Sequence, residues 1–236
     1  MKEFAWLGIV RHGESVGNVA AAEAERGHAE VIDLAERDAD VPLSETGRRQ
    51  AQAVARFFEQ SPARPDMAIV SPYLRTRQTA SGLRIPVVVD ERLRDRELGV
   101  LDLLTNAGVH ARFPEEARRR ARLGKFYYRP PGGESWADVL LRLRSLLREL
   151  REDHPGGRIL LVGHEATVWL IRSLAEGLAE PELMALARGE AIANCSISSW
   201  RGDGGRLSPE RFNDVGHLEA HGAPATEQEE VRAETA

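Results

Sequence analysis

Short apolar segments alternate with longer amphipathic segments along this chain, and that alternation limits the possible folds more than any other feature. Continuous apolar runs of strand length are typical of strands that are buried on both faces. They lie at residues 4–10, 67–70, 86–89 and 158–162, and helical patterns lie at residues 47–58, 73–81, 135–150 and 165–175. Strands that alternate with helices build a mostly parallel sheet with helices on both faces. We therefore predict an α/β fold that forms a three-layer sandwich.

Two segments are too polar to be elements of the core. Residues 18–40 separate the first strand from the next helix, and residues 102–129 separate two units of the sheet. We expect both to fold over the sheet as a helical cap insertion. Residues 191–200 and 207–214 flank a glycine-rich turn, which predicts a closing hairpin.

The last twenty residues differ in composition from the rest of the chain. Residues 217–236 contain five glutamates and one arginine, with almost no large apolar side chain. Such a segment cannot bury enough apolar surface to offset the entropy that ordering costs. We expect a single domain over residues 1–216, followed by an acidic, disordered tail.

The charge balance excludes some classes of partner. The chain has 32 lysines and arginines against 37 aspartates and glutamates, which gives a net charge of −5. This charge disfavours non-specific binding to nucleic acid and to anionic membranes. Residues 4–10 are too short to span a membrane and lack a cleavage site, so we expect a cytoplasmic protein. Cys195 is the only cysteine, which excludes an intramolecular disulfide and multi-cysteine metal sites. The oligomeric state stays open, with a dimer possible.

Cationic and imidazole side chains follow three of the expected strands. Arg11 and His12 end the first strand, Arg75 begins the helix after the second, and His164 follows the last parallel strand. Ligands of open α/β sheets bind at the carboxyl ends of the strands, where helix N-termini also favour anions. Guanidinium groups donate two hydrogen bonds side by side to phosphoryl oxygens. These residues therefore predict a phosphate pocket.

His12 is the candidate nucleophile of this pocket. An imidazole beside two arginines is biased towards its neutral form, because like charges disfavour protonation. A ring nitrogen then keeps the lone pair that attack on phosphorus requires. The Arg-His-Gly sequence alone is a weak signal, and its combination with Arg75 and His164 in one chain gives the prediction its weight.

The ordered motifs resemble those of the histidine phosphatase superfamily, in its phosphoglycerate-mutase-like branch. They read RHGES at 11–15, LSETGRRQA at 43–51, SPYLRTRQTA at 71–80, GGES at 132–135 and GH at 163–164. The resemblance covers about residues 6–200. It implies that His12 becomes a phosphohistidine, that Arg11, Arg75 and His164 hold the phosphoryl group, and that neither a cofactor nor a metal is needed.

The resemblance also implies residues that line the substrate. Gly13 and Asn18 would lie at the edge of the pocket. Residues 130–135 are first of all a turn and helix cap, and the alternative is that Glu134 and Ser135 line the site. Residues 38–47 are interpreted only as a loop and a helix start.

The proton donor departs from the family pattern of leucine, any residue, glutamate, three residues and glycine. Leu93 and Gly99 place Asp95 at the position of the glutamate. In an extended segment Glu97 would project from the same face as Asp95, so it could donate the proton instead or as well. Glu165 is a second departure, because relatives commonly have a small residue there. Its carboxylate would weaken anion binding unless it points away or pairs with an arginine.

The predicted activity is that of a phosphomonoesterase, with a small phosphorylated metabolite or a phosphoprotein as its substrate. A phosphoglycerate-type mutase is the first alternative. The segment after Gly99 lacks the lysine-containing stretch of such mutases, which favours hydrolysis, whereas the arginines at 118–120 fall where mutases place theirs. A non-catalytic binder of phosphorylated ligands is the second alternative, motivated by Asp95 and Glu165.

Overall fold

A computed structural model describes residues 3–61, 64–203 and 205–227. Within these ranges the strands form one six-stranded sheet in the order β3-β2-β4-β1-β5-β6. The strands are β1 (Trp6–Arg11), β2 (Met67–Val70), β3 (Val87–Val89), β4 (Arg158–Gly163), β5 (Ile197–Gly202) and β6 (Leu207–Asp214).

The sheet is mostly parallel, as the apolar runs predict. Strands β3, β2, β4 and β1 are parallel neighbours, whereas β5 and β6 pair antiparallel at the other end. In the centre, Val10 of β1 lies beside Val162 of β4 and Arg11 lies beside Gly163. The carboxyl ends of β1 and β4 therefore meet at the same edge.

Helices cover both faces of this sheet. The helices of the described residues are α1 (Val16–Arg26), α2 (Glu45–Gln60), α3 (Leu74–Ala80), α4 (Asn106–Arg112), α5 (Pro114–Tyr127), α6 (Trp136–Asp153), α7 (Glu165–Glu176), α8 (Glu180–Gly189) and α9 (Gly216–Ala220). Successive strand residues point to opposite faces, which divides the core into two apolar clusters. One includes Leu7, Ile9, Leu161, Leu143 and Trp169, and the other includes Val10, Val162, Val70, Val54 and Phe58.

The two polar segments pack against each other. The backbone N–H of Ile32 donates to the carbonyl oxygen of Leu103 at 2.8 Å, and Val31 forms a β-bridge with Leu104. The Thr105 hydroxyl donates to the carbonyl oxygen of Ala29 at 2.6 Å and also caps α4. Helices α1, α4 and α5 lie wholly or largely in these segments.

The order of the chain extends past the predicted start of the tail. Residues 216–220 form α9, in which Leu218 is fully buried, and Ala223 is also buried. The prediction of disorder is therefore wrong for residues 217–227, because the average composition of the last twenty residues hides these few apolar anchors. Residues 228–236 lie outside the described residues. Among the described residues, the helices lack the combination of length and apolar character that crossing a membrane requires.

Candidate active site

The catalytic candidates Arg11 and His12 lie where β1 ends, and the loop before β5 holds their backbone. The backbone N–H of Cys195 donates to the carbonyl oxygens of Arg11 and His12, at 3.0 and 3.2 Å. Cys195 has a φ of +56°, in the left-handed region that non-glycine residues rarely adopt. The Asn194 side chain adds a hydrogen bond of 3.1 Å to the carbonyl oxygen of His12.

The His12 ring has a defined tautomer. Its Nδ1 atom lies 2.8 Å from the carbonyl oxygen of Gly13. A carbonyl oxygen can only accept, so Nδ1 carries the proton and Nε2 keeps its lone pair. Burial lowers the pKa of His12 well below its ordinary value, and the charges of Arg75 and Arg11 lower it further. The ring is therefore neutral near pH 7, as a nucleophile requires.

Arg11 is buried and already engaged by protein groups. Its Nη1 donates to the carbonyl oxygen of Ile192. Its Nη2 lies 3.7 Å from a carboxylate oxygen of Glu165, whose side chain is 11% exposed. Glu165 thus takes the second of the two arrangements considered for it, since it pairs with an arginine.

Arg75 lies in the first turn of α3 and contacts carboxylates from two other segments of the chain. Its Nη2 donates to Asp95 Oδ2 at 3.1 Å. Its Nη1 donates to the carbonyl oxygen and to the carboxylate of Asp38, at 2.6 and 2.9 Å. The guanidinium also lies over the Tyr73 ring, 4.8 Å from its centroid. Arg75 is 4% exposed, so these contacts fix its orientation.

His164 connects the end of β4 with the other strand ends. Its ring centroid lies 5.3 Å from that of His12. Its Nε2 atom lies 2.8 Å from the Ser71 hydroxyl, and its Nδ1 atom lies 3.2 Å from Asp95 Oδ2. Burial lowers the pKa of His164, and the Asp95 carboxylate opposes that shift.

The two candidate proton donors, Asp95 and Glu97, have different contacts. Asp95 Oδ2 contacts both Arg75 and His164, whereas the Glu97 carboxylate accepts a hydrogen bond from the Tyr73 hydroxyl at 3.1 Å and is half exposed. Burial raises the pKa of Asp95, but His164 and Arg75 lower it by more, so the pKa lies well below its ordinary range. Asp95 is therefore the candidate whose carboxylate contacts Arg75 and His164.

A family model described as the histidine phosphatase superfamily, branch 1, matches residues 7–215. This chain belongs to that superfamily. It is 30% identical to phosphoglycerate mutase-like protein 4 of Arabidopsis thaliana over 226 residues, which are 93% of this chain and 90% of that protein. The resemblance predicted from the motifs is confirmed.

Two further relatives are named phosphatases. The 6-phosphofructo-2-kinase/fructose-2,6-bisphosphatase of Caenorhabditis elegans is 31% identical over 162 residues, 68% of this chain but 32% of that protein. The chain thus spans about a third of the length of this curated relative. A solved structure of mycobacterial glucosyl-3-phosphoglycerate phosphatase with VO3 is 28% identical, with a TM-score of 0.72 over 89% of this chain and all of that one.

Two residues carried over from the histidine phosphatases follow β1, Gly13 in the loop and Asn18 in the first turn of α1. The backbone N–H of Gly13 donates to the Thr79 hydroxyl at 3.0 Å, and a Cβ atom at Gly13 would lie 2.7 Å from the carbonyl oxygen of Gly47. Ser15 caps α1 by accepting from the backbone N–H of Asn18, and the Asn18 side chain accepts from the backbone N–H of Ser15, both at 3.0 Å. Asn18 also lines a cavity of about 200 Å³, together with Glu14, Val19, Ala22, Arg26, Asn194, Thr226 and Glu227.

The other two carried-over residues have contacts that differ from the lining role. The Ser135 hydroxyl caps α6 by accepting from the backbone N–H of Asp138 at 3.1 Å, which is the cap that the sequence favoured. The carboxylate of Glu134 accepts hydrogen bonds from Arg94 and Arg142 at 2.7 to 3.0 Å. Both side chains have partners within the protein, and their role in lining the substrate stays a prediction.

Sequence reasoning missed two residues of this site. Ser71 is the first residue of the SPYLRTRQTA motif, directly after β2, and that position could have indicated it. Only Arg75 was selected from this motif. Asp38 lies in a segment interpreted as a plain loop, and nothing in its spacing relates it to Arg75. Among the described residues there is no group of three or more histidine, cysteine, aspartate or glutamate side chains that could hold a metal ion.

Proposed function

We propose that this protein is a phosphomonoesterase that works through a phosphohistidine on His12. The observation that carries this proposal is the state of the His12 ring. Its Nδ1–H is committed to Gly13, its pKa is lowered, and Nε2 holds the lone pair. A buried neutral imidazole beside two fixed guanidinium groups suits attack on a phosphoryl group.

In the first step, Nε2 of His12 attacks phosphorus as the bond to the leaving oxygen breaks. Arg11, Arg75 and His164 stabilise the charge on the equatorial oxygens, because donors that are already in place cost no reorganisation. Two of the carboxylates that contact these arginines, Asp38 and Glu165, must give way to the substrate phosphate.

The proton for the leaving oxygen comes from Asp95 in this proposal. Asp95 is ionised in the empty site, because Arg75 and His164 lower its pKa. A bound phosphoryl dianion compensates Arg75 and repels the carboxylate, and both effects raise the pKa of Asp95. Binding of substrate thus converts an ionised carboxylate into a general acid.

In the second step, water attacks the phosphohistidine and the P–N bond breaks. Asp95, now ionised, accepts a proton from that water, and His12 returns to its neutral form with Nδ1 still protonated. The two steps together release the alcohol and inorganic phosphate. No metal takes part, since Arg11 and Arg75 supply the positive charge.

The proposed substrate is a small phosphorylated metabolite, with a phosphoprotein as the other class considered. Support comes from the relatives named for fructose 2,6-bisphosphate and for glucosyl-3-phosphoglycerate. Release of phosphate from p-nitrophenyl phosphate and from a panel of sugar phosphates and phosphorylated acids tests this. We expect turnover by the wild-type protein and none by His12→Gln. Failure of the wild-type protein to hydrolyse any of them would favour the non-catalytic binder.

A mutase remains the second candidate, favoured by the phosphoglycerate mutase-like relative that matches 93% of this chain. Two of the three arginines that kept this alternative open, Arg118 and Arg119, pair with Glu115 and Glu116 on the surface of α5. Incubation with 3-phosphoglycerate and its bisphosphate primer distinguishes the two activities. Hydrolysis releases inorganic phosphate, whereas a mutase forms 2-phosphoglycerate.

A further inference from the structure

The segment that carries Asp95 has little regular structure of its own. Residues 92–98, which we call the acid loop, begin within a short 3-10 helix (Glu91–Leu93), and residues 95–98 belong to no helix or strand. Buried backbone carbonyls in such a segment need partners from elsewhere. One side chain of α6 donates hydrogen bonds to three of these carbonyl oxygens.

Arg142 binds the acid loop through its backbone. Its Nη1 donates to the carbonyl oxygens of Arg92 and Arg94, at 2.6 and 2.8 Å, and its Nη2 donates to the carbonyl oxygen of Asp95 at 3.0 Å. The side chain is 11% exposed. The guanidinium therefore fixes the path of the chain on the N-terminal side of Asp95 and at Asp95 itself.

Glu134 fixes the orientation of that guanidinium. Its two carboxylate oxygens accept from Nε and Nη2 of Arg142, both at 3.0 Å, in a bidentate pair. Glu134 also accepts from Arg94 at 2.7 Å, and its backbone N–H donates to the carbonyl oxygen of Glu97 at 2.9 Å. A bidentate pair fixes the orientation of the guanidinium as well as adding energy. Glu134 therefore holds Arg142 and also contacts the acid loop on the C-terminal side of Asp95.

Two glycines allow this close approach. Gly99 has a φ of +56°, and a Cβ atom there would lie 2.1 Å from the carbonyl oxygen of Pro131. A Cβ atom at Gly133 would lie 2.5 Å from the carbonyl oxygen of Glu97. The acid loop thus lies directly against residues 131–134, and little movement is left to it.

We propose that Arg142, held by Glu134, is a positioning residue for the proton donor Asp95. The proposal rests on the proposed phosphatase function for its kinetic test, but the placement of the carboxylate can be measured without turnover. An aspartate has one methylene between its backbone and its carboxyl group, whereas the glutamate of the family pattern has two. The backbone position therefore decides whether Asp95 reaches Arg75 and His164.

The kinetic test compares two leaving groups in Arg142→Met, which keeps the aliphatic stem and removes the donors. An alkyl phosphate needs the acid, whereas p-nitrophenolate leaves without protonation. We expect kcat/KM to fall by about tenfold or more on the alkyl phosphate and by less than about threefold on p-nitrophenyl phosphate. An equal loss on both substrates would overturn the proposal.

A double variant decides whether Arg142 acts through Asp95. In the Asp95→Asn background, Arg142→Met should cause no further loss on the alkyl phosphate, because the group it positions is already gone. Additive losses would contradict the proposal. Arg148→Met is the matched control, since Arg148 lies on the same helix, is largely exposed and pairs with Glu152. It should behave like the wild-type protein on both substrates.

A titration of the Asp95 carboxyl carbon by NMR separates this proposal from the function itself. The pKa of Asp95 is low because its carboxylate reaches Arg75 and His164. If Arg142 holds it there, the pKa should rise towards its ordinary value in Arg142→Met and in the milder Glu134→Gln. An unchanged pKa in both variants would reject the positioning role even if the protein is a phosphatase. A raised pKa in a protein without turnover would retain the positioning and reject the phosphatase.

Discussion

The carboxylate of Asp38 lies 2.9 Å from Nη1 of Arg75, and the backbone carbonyl of the same residue accepts from that nitrogen at 2.6 Å. One residue of the segment 18–40 therefore accepts two hydrogen bonds from the guanidinium. The carbonyl contact does not depend on the carboxylate, so the orientation of Arg75 survives when the charge of Asp38 is removed. The carboxylate itself competes with any anion that Arg75 binds.

Asp38→Asn should strengthen the binding of vanadate. The change removes a negative charge beside the anion site, and Asp38 is partly exposed, so solvent screens part of the effect. We expect the Kd for vanadate to fall about three- to tenfold, measured by inhibition of p-nitrophenyl phosphate hydrolysis. Asp40→Asn is the control, because Asp40 pairs with Arg37 on the surface. Weaker binding in Asp38→Asn would mean that the carboxylate chiefly orients Arg75.

Asp95→Asn should lose activity in a way that depends on the leaving group. General acid catalysis commonly contributes about 10²–10⁴-fold, and that contribution shrinks when the leaving group is already good. We expect a loss of that size in kcat on an alkyl phosphate and a much smaller one on p-nitrophenyl phosphate. Glu97→Gln is the matched variant and should show no such contrast. A contrast that follows Glu97 instead would assign the acid to that residue.

The stability of the protein should fall below about pH 6.5, in part because of His217. His217 is 6% exposed, and burial lowers its pKa to about 4, although Asp214 opposes the shift. Between pH 6.5 and 4 the unfolded chain binds a proton at this ring and the folded chain does not. The free energy of unfolding is therefore fully retained above pH 6.5 and decreases towards pH 4, by about 3 kcal/mol for this one group.

His217→Phe should remove that part of the pH dependence and keep the ring contact with Phe57, whose centroid lies 5.4 Å away. The measurement is denaturant-induced unfolding at several pH values between 7 and 4, on both proteins. The curve of the variant should be flatter over this interval. Parallel curves would show that His217 is protonated in the folded protein at its ordinary pKa.

Activity should not require a divalent metal ion. Arg11 and Arg75 carry the positive charge that a metal would otherwise supply at the phosphoryl oxygens. We expect full turnover of p-nitrophenyl phosphate after dialysis against EDTA, with magnesium and zinc having no stimulating effect. Loss of turnover on chelation, restored by either ion, would contradict this.

Much of the sheet and the centre of the site could be predicted from the sequence, for a local physical reason. Strands that are buried on both faces must be apolar throughout, so β1, β2 and β4 stand out without any knowledge of their partners. Once the sheet is parallel, the residues that follow those strands share one edge. His12 and His164 could be brought together by that argument alone, and their ring centroids are 5.3 Å apart.

The remaining features depend on contacts that leave no periodic pattern. Asp38 lies in a 3-10 helix of only three residues and contacts Arg75, and Leu218 is a buried residue of a helix of only five residues. Glu134 was predicted to line the substrate, and the structure pairs its carboxylate with Arg94 and Arg142. Motif spacing indicates where a carboxylate lies along the chain, whereas the fold determines which side chains that carboxylate contacts.

Trapping of the phosphoenzyme tests the central claim most directly. Wild-type protein is mixed with a labelled phosphomonoester, quenched during turnover, and digested for mass spectrometry under alkaline conditions. We expect acid-labile, base-stable phosphate on His12, and no labelled protein in His12→Gln, which should also be inactive. Phosphate on a serine or an aspartate, or full turnover by His12→Gln, would contradict the account.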